Sequence, residues 1–165
     1  MKIKQLLRVL FFALSIVCMF VIFGFSAQDG PETSSISTEV TEVMVSVANV
    51  GKVRIDPNPT SLEFQNLHHL VRKMAHFSIY CILAFCVSGF FITFAWRRTT
   101  TIFVSVFVCF FYACMDEIHQ SFVAGRGPAF TDVLIDTCGA ALGIFLLFVA
   151  AHIAAKIVCA HHKTE

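Results

Sequence analysis

The chain predicts an all-α integral membrane protein with four transmembrane helices, and three observations predict it. Of its 165 residues, 57% are hydrophobic and only 14% are charged, whereas a soluble domain is closer to about half apolar and a quarter charged. The charges are also unevenly placed, for windows 9–25, 74–96, 99–115 and 133–151 are nearly free of them. Each window, with its flanks, can form a helix across a hydrocarbon core roughly 30 Å thick. Lipid offers no hydrogen bonds, so a spanning backbone must satisfy itself, and unbroken apolar runs do so as helices. Residues 1–165 are expected to form a single membrane domain.

The first window follows Lys2, Lys4 and Arg8. Such a start also describes a signal peptide, and "GFSAQ" supplies small residues for cleavage. The apolar run is longer than the usual signal core of about 7–15 residues. A retained helix is the expectation, with cleavage as the alternative.

A hydrophilic loop over 26–70 comes next, with Asp29, Glu32, Glu39, Glu42, Asp56 and Glu63. It is not featureless. Val40, Val43, Met44, Val47 and Val50 follow helical spacing, with Glu39 and Glu42 on the other side. Gly51 and "DPNP" end that segment. Thr60 with Glu63 has the form of a capping box opening a second helix, whose Phe64, Leu67 and Val71 lead into the second span. Short helices lying at the membrane interface are expected here, and no catalytic role.

Orientation follows Lys and Arg in short loops. With the N-terminus inside, the inner side holds seven of them (Lys2, Lys4, Arg8, Arg97, Arg98, Lys156, Lys163). The outer side holds five (Lys52, Arg54, Arg72, Lys73, Arg126). Both termini are therefore expected in the cytoplasm, with the loop 26–70 outside.

Net charge is only +1, so nothing points to nucleic acid. The seven Cys lie mostly within spans and form no C-x-x-C pair, so they read as small hydrophobes and not as a disulfide framework.

Given that orientation, polar residues collect at one membrane face. Arg72, Lys73, His76 and Tyr80 lie at the outer end of the second span, and Asp116, Glu117, His119 and Gln120 at the outer end of the third. Arg126 is in the connection, and Asp132 and Asp136 open the fourth span. Arg72, His76 and Tyr80 are spaced i, i+4, i+8 and share a face. Asp116 and Gln120 are i, i+4, and Glu117 and Gln120 are i, i+3. Asp132 and Asp136 continue into Gly139 and Gly143, a small-xxx-small stripe that lets two backbones approach. His68 and His69 are expected to be ordinary interfacial residues. Ionisable groups inside a membrane face the bundle or a wet cavity and find partners, so a polar pocket opening outward is expected. Charges at helix ends also serve plainly to fix register or anchor a span. An assortment of Arg, Lys, His, Tyr, Asp, Glu and Gln exceeds what register requires.

At these residues the chain resembles the VanZ-like family of bacterial membrane proteins, named from a member associated with resistance to the glycopeptide teicoplanin. The likeness rests on "VRKMAHFSIY" (71–80), "DEIHQSFVAGRGPAFTDVLIDTCGAALG" (116–143) and the "FSAQ" after the first span, and it covers about residues 9–150. It implies a multi-pass protein of the bacterial cell membrane and does not fix a reaction. Carried over residue by residue, its motif marks Arg72, Lys73, His76, Tyr80, Asp116, Glu117, Gln120, Arg126, Asp132 and Asp136 as binding residues.

The leading functional expectation is binding or modification of an envelope component, with membrane lipid and an anionic or lipid-linked ligand as partners and an effect on glycopeptide sensitivity. An enzyme is the first alternative. Arg72, Lys73 and Arg126 would hold a phosphate or carboxylate, and His76, Asp116 and Glu117 are its catalytic candidates. No nucleophile motif accompanies them. A proton-coupled carrier is the second alternative, which four spans without an internal repeat do not favour. No cofactor is implied, and no metal is expected, since no recognised ligand spacing runs through His76, Asp116, Glu117 and Asp136. The oligomeric state is left open.

Overall fold

The computed structural model describes residues 2–26, 34–50, 54–122 and 129–161. All regular structure among them is helical: α1 (Lys2–Ser26), α2 (Ser34–Val50), α3 (Leu62–Ile92), α4 (Arg98–Gln120) and α5 (Phe130–His161). Four of these helices, all but α2, are long and apolar enough to cross a membrane. The protein is an all-α integral membrane protein, and the first, third and fourth predicted windows each lie within a longer helix.

α3 is the axis of the bundle, packed against each of the other four helices and most extensively against α5. The stripe of small residues explains that contact. A methyl group added to Gly139 would collide with the carbonyl oxygen of Phe77, and one on Gly143 with that of Cys81. Only glycine allows backbones this close. Lys73 meets Asp132, Phe77 meets Gly139 and Cys81 meets Gly143, so the two helices advance together and run parallel. Tyr80, Leu83 and Ala84 on α3 fill the centre with Cys109 and Ala113 on α4 and Ala140 on α5. Phe103, Phe107 and Phe145 stay 63–75% exposed, as side chains facing lipid should be.

α1 is built into this bundle. The Phe11 ring fills the gap left by Gly89, and the Tyr112 hydroxyl donates to the Met19 carbonyl at 2.7 Å. Cys18, Cys86 and Cys109 are free and buried.

Three expectations need correction. The cap of α3 is Ser61 and not Thr60: its hydroxyl accepts from the Phe64 N–H at 3.2 Å. Thr60 turns to Asn58, and Glu63 accepts instead from the Asp56 N–H at 3.1 Å. The second span stops at Ile92, short of Trp96, because the Thr93 hydroxyl bonds back to the Phe90 carbonyl. The turn that follows places Ala95 at φ 58° and stacks Trp96 on Phe91. Finally, His68 is more than an interfacial residue. Its Nε2 meets the Ser37 hydroxyl at 2.8 Å and pins α2 to α3.

α2 docks through Thr41 and Val45, which are buried, while Val43 and Val47 are 62% and 66% exposed. Val43 and Val47 of its apolar stripe thus point away from the protein, as suits a helix lying at the membrane interface.

Candidate functional site

The polar residues collect where α3, α4 and α5 meet, at the end of the bundle nearest α2. A notch of about 10 Å³, roughly the room for one water, opens there. Arg72, Lys73 and His76 line it from α3, Glu117 and Gln120 from α4, and Asp132, Ile135 and Asp136 from α5.

At its rim Lys73 Nζ donates to Asp132 Oδ1 at 2.7 Å. Both side chains are about a quarter exposed, so the pair is partly solvated. Deeper in, His76 Nδ1 lies 4.0 Å from Asp136 Oδ2. Asp136 is only 2% exposed and Asp116 5%, so two carboxylates are buried together. The Gln120 amide donates to Asp116 Oδ2 at 3.0 Å, the i, i+4 contact that the spacing predicts. Ser26, the serine of "FSAQ" and the last residue of α1, adjoins the same carboxylate.

Glu117 lines the notch beside Gln120, as their i, i+3 spacing predicts, and also reaches beyond α4. Its carboxylate accepts from the Ala129 N–H at 2.8 Å, just ahead of α5. A carboxylate at a helix start satisfies an orphan N–H and complements the positive end of the helix dipole. Glu117 therefore ties α4 to the beginning of α5 while still lining the notch.

Of the residues marked in the sequence, Arg72, Lys73, His76, Glu117, Gln120, Asp132 and Asp136 share the notch. Asp116 lies behind it, within reach of His76 and Asp136. Tyr80 is displaced from expectation. It is wholly buried in the bundle core and not on the rim, because α3 has already passed under α4 and α5 at that depth. His119 turns away and packs its ring on Phe23 of α1 at 4.3 Å. Arg126 lies outside the described residues. Ile135, Ala129 and Ser26 were not singled out as site residues. Ile135 carries no polar signal, Ala129 contributes only backbone, and Ser26 was visible only as part of the "FSAQ" motif.

A second space adjoins the first. A groove of about 470 Å³ runs between α1, α2 and α3, walled mainly by apolar side chains such as Ile22, Phe25, Val40, Met44, Leu67 and Ile79. Arg72 and His76 line both the groove and the notch. A molecule with a long apolar tail and a small polar head would find the two environments in contiguous order.

A family model described as VanZ/LLP1 matches residues 11–151, a stretch that includes every residue of the notch. No curated protein and no solved structure matches the chain.

Proposed function

This chain belongs to the VanZ/LLP1 family, and from that premise we propose that it binds a lipid with a phosphate-bearing headgroup at the outer face of the bacterial cell membrane. One observation carries the proposal: the apolar groove and the charged notch are joined through Arg72 and His76. The groove takes an acyl or isoprenoid chain, and the notch takes the head. Arg72 and Lys73 supply the positive charge, with the Arg guanidinium suited to bidentate contact with phosphate oxygens. Lys73 is already paired with Asp132. A phosphate would compete for that ammonium, so binding would loosen the α3–α5 rim pair.

The outward assignment follows from the Lys and Arg distribution, which also puts both termini in the cytoplasm. Cysteines placed singly in a Cys-free background test it. Position 35 should label from outside, and positions 98 and 163 should not; the reverse pattern turns the protein over.

A second reading, acid–base chemistry on the same lipid, is favoured by the 4.0 Å approach of His76 to Asp136. Binding comes first because no nucleophile motif accompanies the notch, and none of the described residues lining it is a serine, threonine or cysteine. An influence on glycopeptide sensitivity follows if the bound lipid belongs to wall assembly.

Lipids retained through purification in mild detergent decide the binding claim. Wild-type protein and Phe107→Leu, a change on the lipid-facing surface, should retain phosphate-bearing lipids in a fixed ratio to protein. Arg72→Gln should lose most of them. Equal retention by all three would end this reading.

A further inference from the structure

Beneath the notch three donors converge from three different helices: His76 of α3, Asp116 of α4 and Asp136 of α5. One ligating atom from each lies within 4.8 Å of the other two. We propose that they hold a single divalent transition-metal ion, of the zinc or manganese type, at the floor of the notch.

The chemistry of the set comes first. An imidazole with two carboxylates is a borderline nitrogen and oxygen set, suited to Zn²⁺ or Mn²⁺ and not to Cu⁺. Ligand distances of roughly 2.0–2.2 Å put tetrahedral donors about 3.3–3.6 Å apart. His76 Nδ1 and Asp136 Oδ2 stand at 4.0 Å, and the three ligating atoms all lie within 4.8 Å of one another, so an ion would draw the set together by roughly 1 Å.

Charge balance points the same way. No Lys or Arg among the described residues forms an ion pair with Asp116 or Asp136, and the nearby ammonium of Lys73 is engaged by Asp132. Two carboxylates buried side by side in a membrane bundle need a proton or a cation between them. A dication answers both charges at once.

The surroundings hold a further, independent sign. The Tyr80 hydroxyl is fully buried and has no hydrogen-bond partner among the described residues. It follows His76 by one i, i+4 step on the same helix and lies in the field of both Asp116 and Asp136. A buried hydroxyl there can donate to a metal-bound carboxylate or to the ion's own water. The Gln120 amide already holds Asp116 Oδ2 from the other side, while Asp116 Oδ1 makes no hydrogen bond among the described residues. Carboxylates that ligate metals are commonly held in this way by an outer hydrogen bond.

Three protein ligands leave a coordination position open, as in metal sites that receive a substrate and unlike closed structural sites. His76 and Asp136 line the notch together with Arg72 and Lys73, so a ligand in the notch would be the one to reach such a position. Metal binding stands without the lipid reading above; assigning the open position to a phosphate oxygen rests on it.

The experiment uses the full chain in detergent, stripped with a chelator and then titrated with MnCl₂ or ZnCl₂. Metal content, thermal melting and the Mn²⁺ electron paramagnetic resonance signal are recorded. One ion per chain with a raised melting temperature is expected. His76→Ala and Asp136→Asn should each weaken binding at least tenfold, and Tyr80→Phe should weaken it less while leaving the fold intact. Phe107→Leu, on the lipid-facing surface far from the notch, should leave metal affinity unchanged. Should His76→Ala or Asp136→Asn fail to fold, Tyr80→Phe and the wild-type stoichiometry still decide. Sub-stoichiometric metal in wild type, or unchanged affinity in all the notch-floor variants, overturns the site.

Nanodiscs containing phosphatidic acid or phosphatidylcholine then separate the two claims. Metal binding without preference for phosphatidic acid sinks the lipid reading alone. Preference for phosphatidic acid that survives metal stripping removes the phosphate from the metal's open position.

Discussion

The two ends of this bundle face the same problem, cations next to a hydrocarbon slab, and solve it in opposite ways. At the end that carries the α3–α4 turn, positive charge is met by aromatic rings and backbone. The Arg8 guanidinium lies 3.9 Å over the Phe94 ring and donates to both the Thr93 hydroxyl and the Thr93 carbonyl at 3.1 Å. Arg98 sits 4.5 Å over Phe148. Both of these arginines have neutral partners, an arrangement suited to anchoring helix ends. At the notch end, cations meet carboxylates, and two of those carboxylates are almost completely buried. Anchoring does not require buried acids. The difference between the ends is what marks one of them as the candidate site.

Breaking the α3–α5 contact should abolish the distinction altogether. In Gly143→Leu the side chain enters the Cys81 backbone, and relief requires the helices to part. Since strain in a packed core typically costs about 1–3 kcal/mol and here the obstacle is backbone, a loss beyond about 3 kcal/mol is expected. The yield of monodisperse protein and its detergent melting curve measure it. A normal melt would mean that the helices do not meet at these glycines.

Removing the neutral anchor should weaken the protein without touching the notch. Arg8→Leu gives up a cation–π contact and two hydrogen bonds, together roughly 1–2 kcal/mol after exchange with water. Melting should fall while metal and lipid binding stay at wild-type values. A parallel fall in binding would show that the two ends are coupled through α3.

A smaller effect, of opposite sign, is expected at the turn. Ala95 has φ 58°, in the left-handed region that costs an L-residue roughly 1–2 kcal/mol. Ala95→Gly relieves that strain but loses some through chain entropy, for a net gain below about 1 kcal/mol. Melting temperature should rise slightly.

The smallest change in stability belongs to the substitution with the largest meaning. Glu117→Gln keeps an oxygen that can accept from the Ala129 N–H and removes only charge. Protein level and melting should match wild type. Any envelope phenotype seen on deletion, such as altered sensitivity to wall-directed antibiotics, should reappear in this variant and in Arg126→Gln, but not in Phe107→Leu. Reduced abundance that accounts fully for the phenotype would make the cluster structural. Intact phenotype in both variants would leave Glu117 as a tie between α4 and α5 and nothing more.

Much of this arrangement was open to reading along the chain. Charge-free windows located the spans, because insertion in lipid depends on composition over a helix length. Gly139 and Gly143 announced a close helix contact, and Asp116 with Gln120 a polar one, because both follow from the 3.6-residue turn alone. The gathering of polar groups at one end followed from counting spans.

What lay beyond the chain order has a single physical cause. In lipid, a leucine facing a neighbouring helix and one facing an acyl chain are in equally apolar surroundings. Hydropathy therefore fixes how deep a residue sits but not which helix it meets. Tyr80 was placed on the rim by its spacing and is buried in one cluster with Cys109 and Ala113 of α4 and Ala140 of α5. Glu117 shares the notch with Gln120 as its spacing requires, but its bond to the start of α5 has no spacing to announce it. The trio of His76, Asp116 and Asp136 has no spacing to recognise, since each member comes from a separate helix. Composition and periodicity determined the spans and the depth of every charge; only the packing of α3, α4 and α5 decided which charges meet.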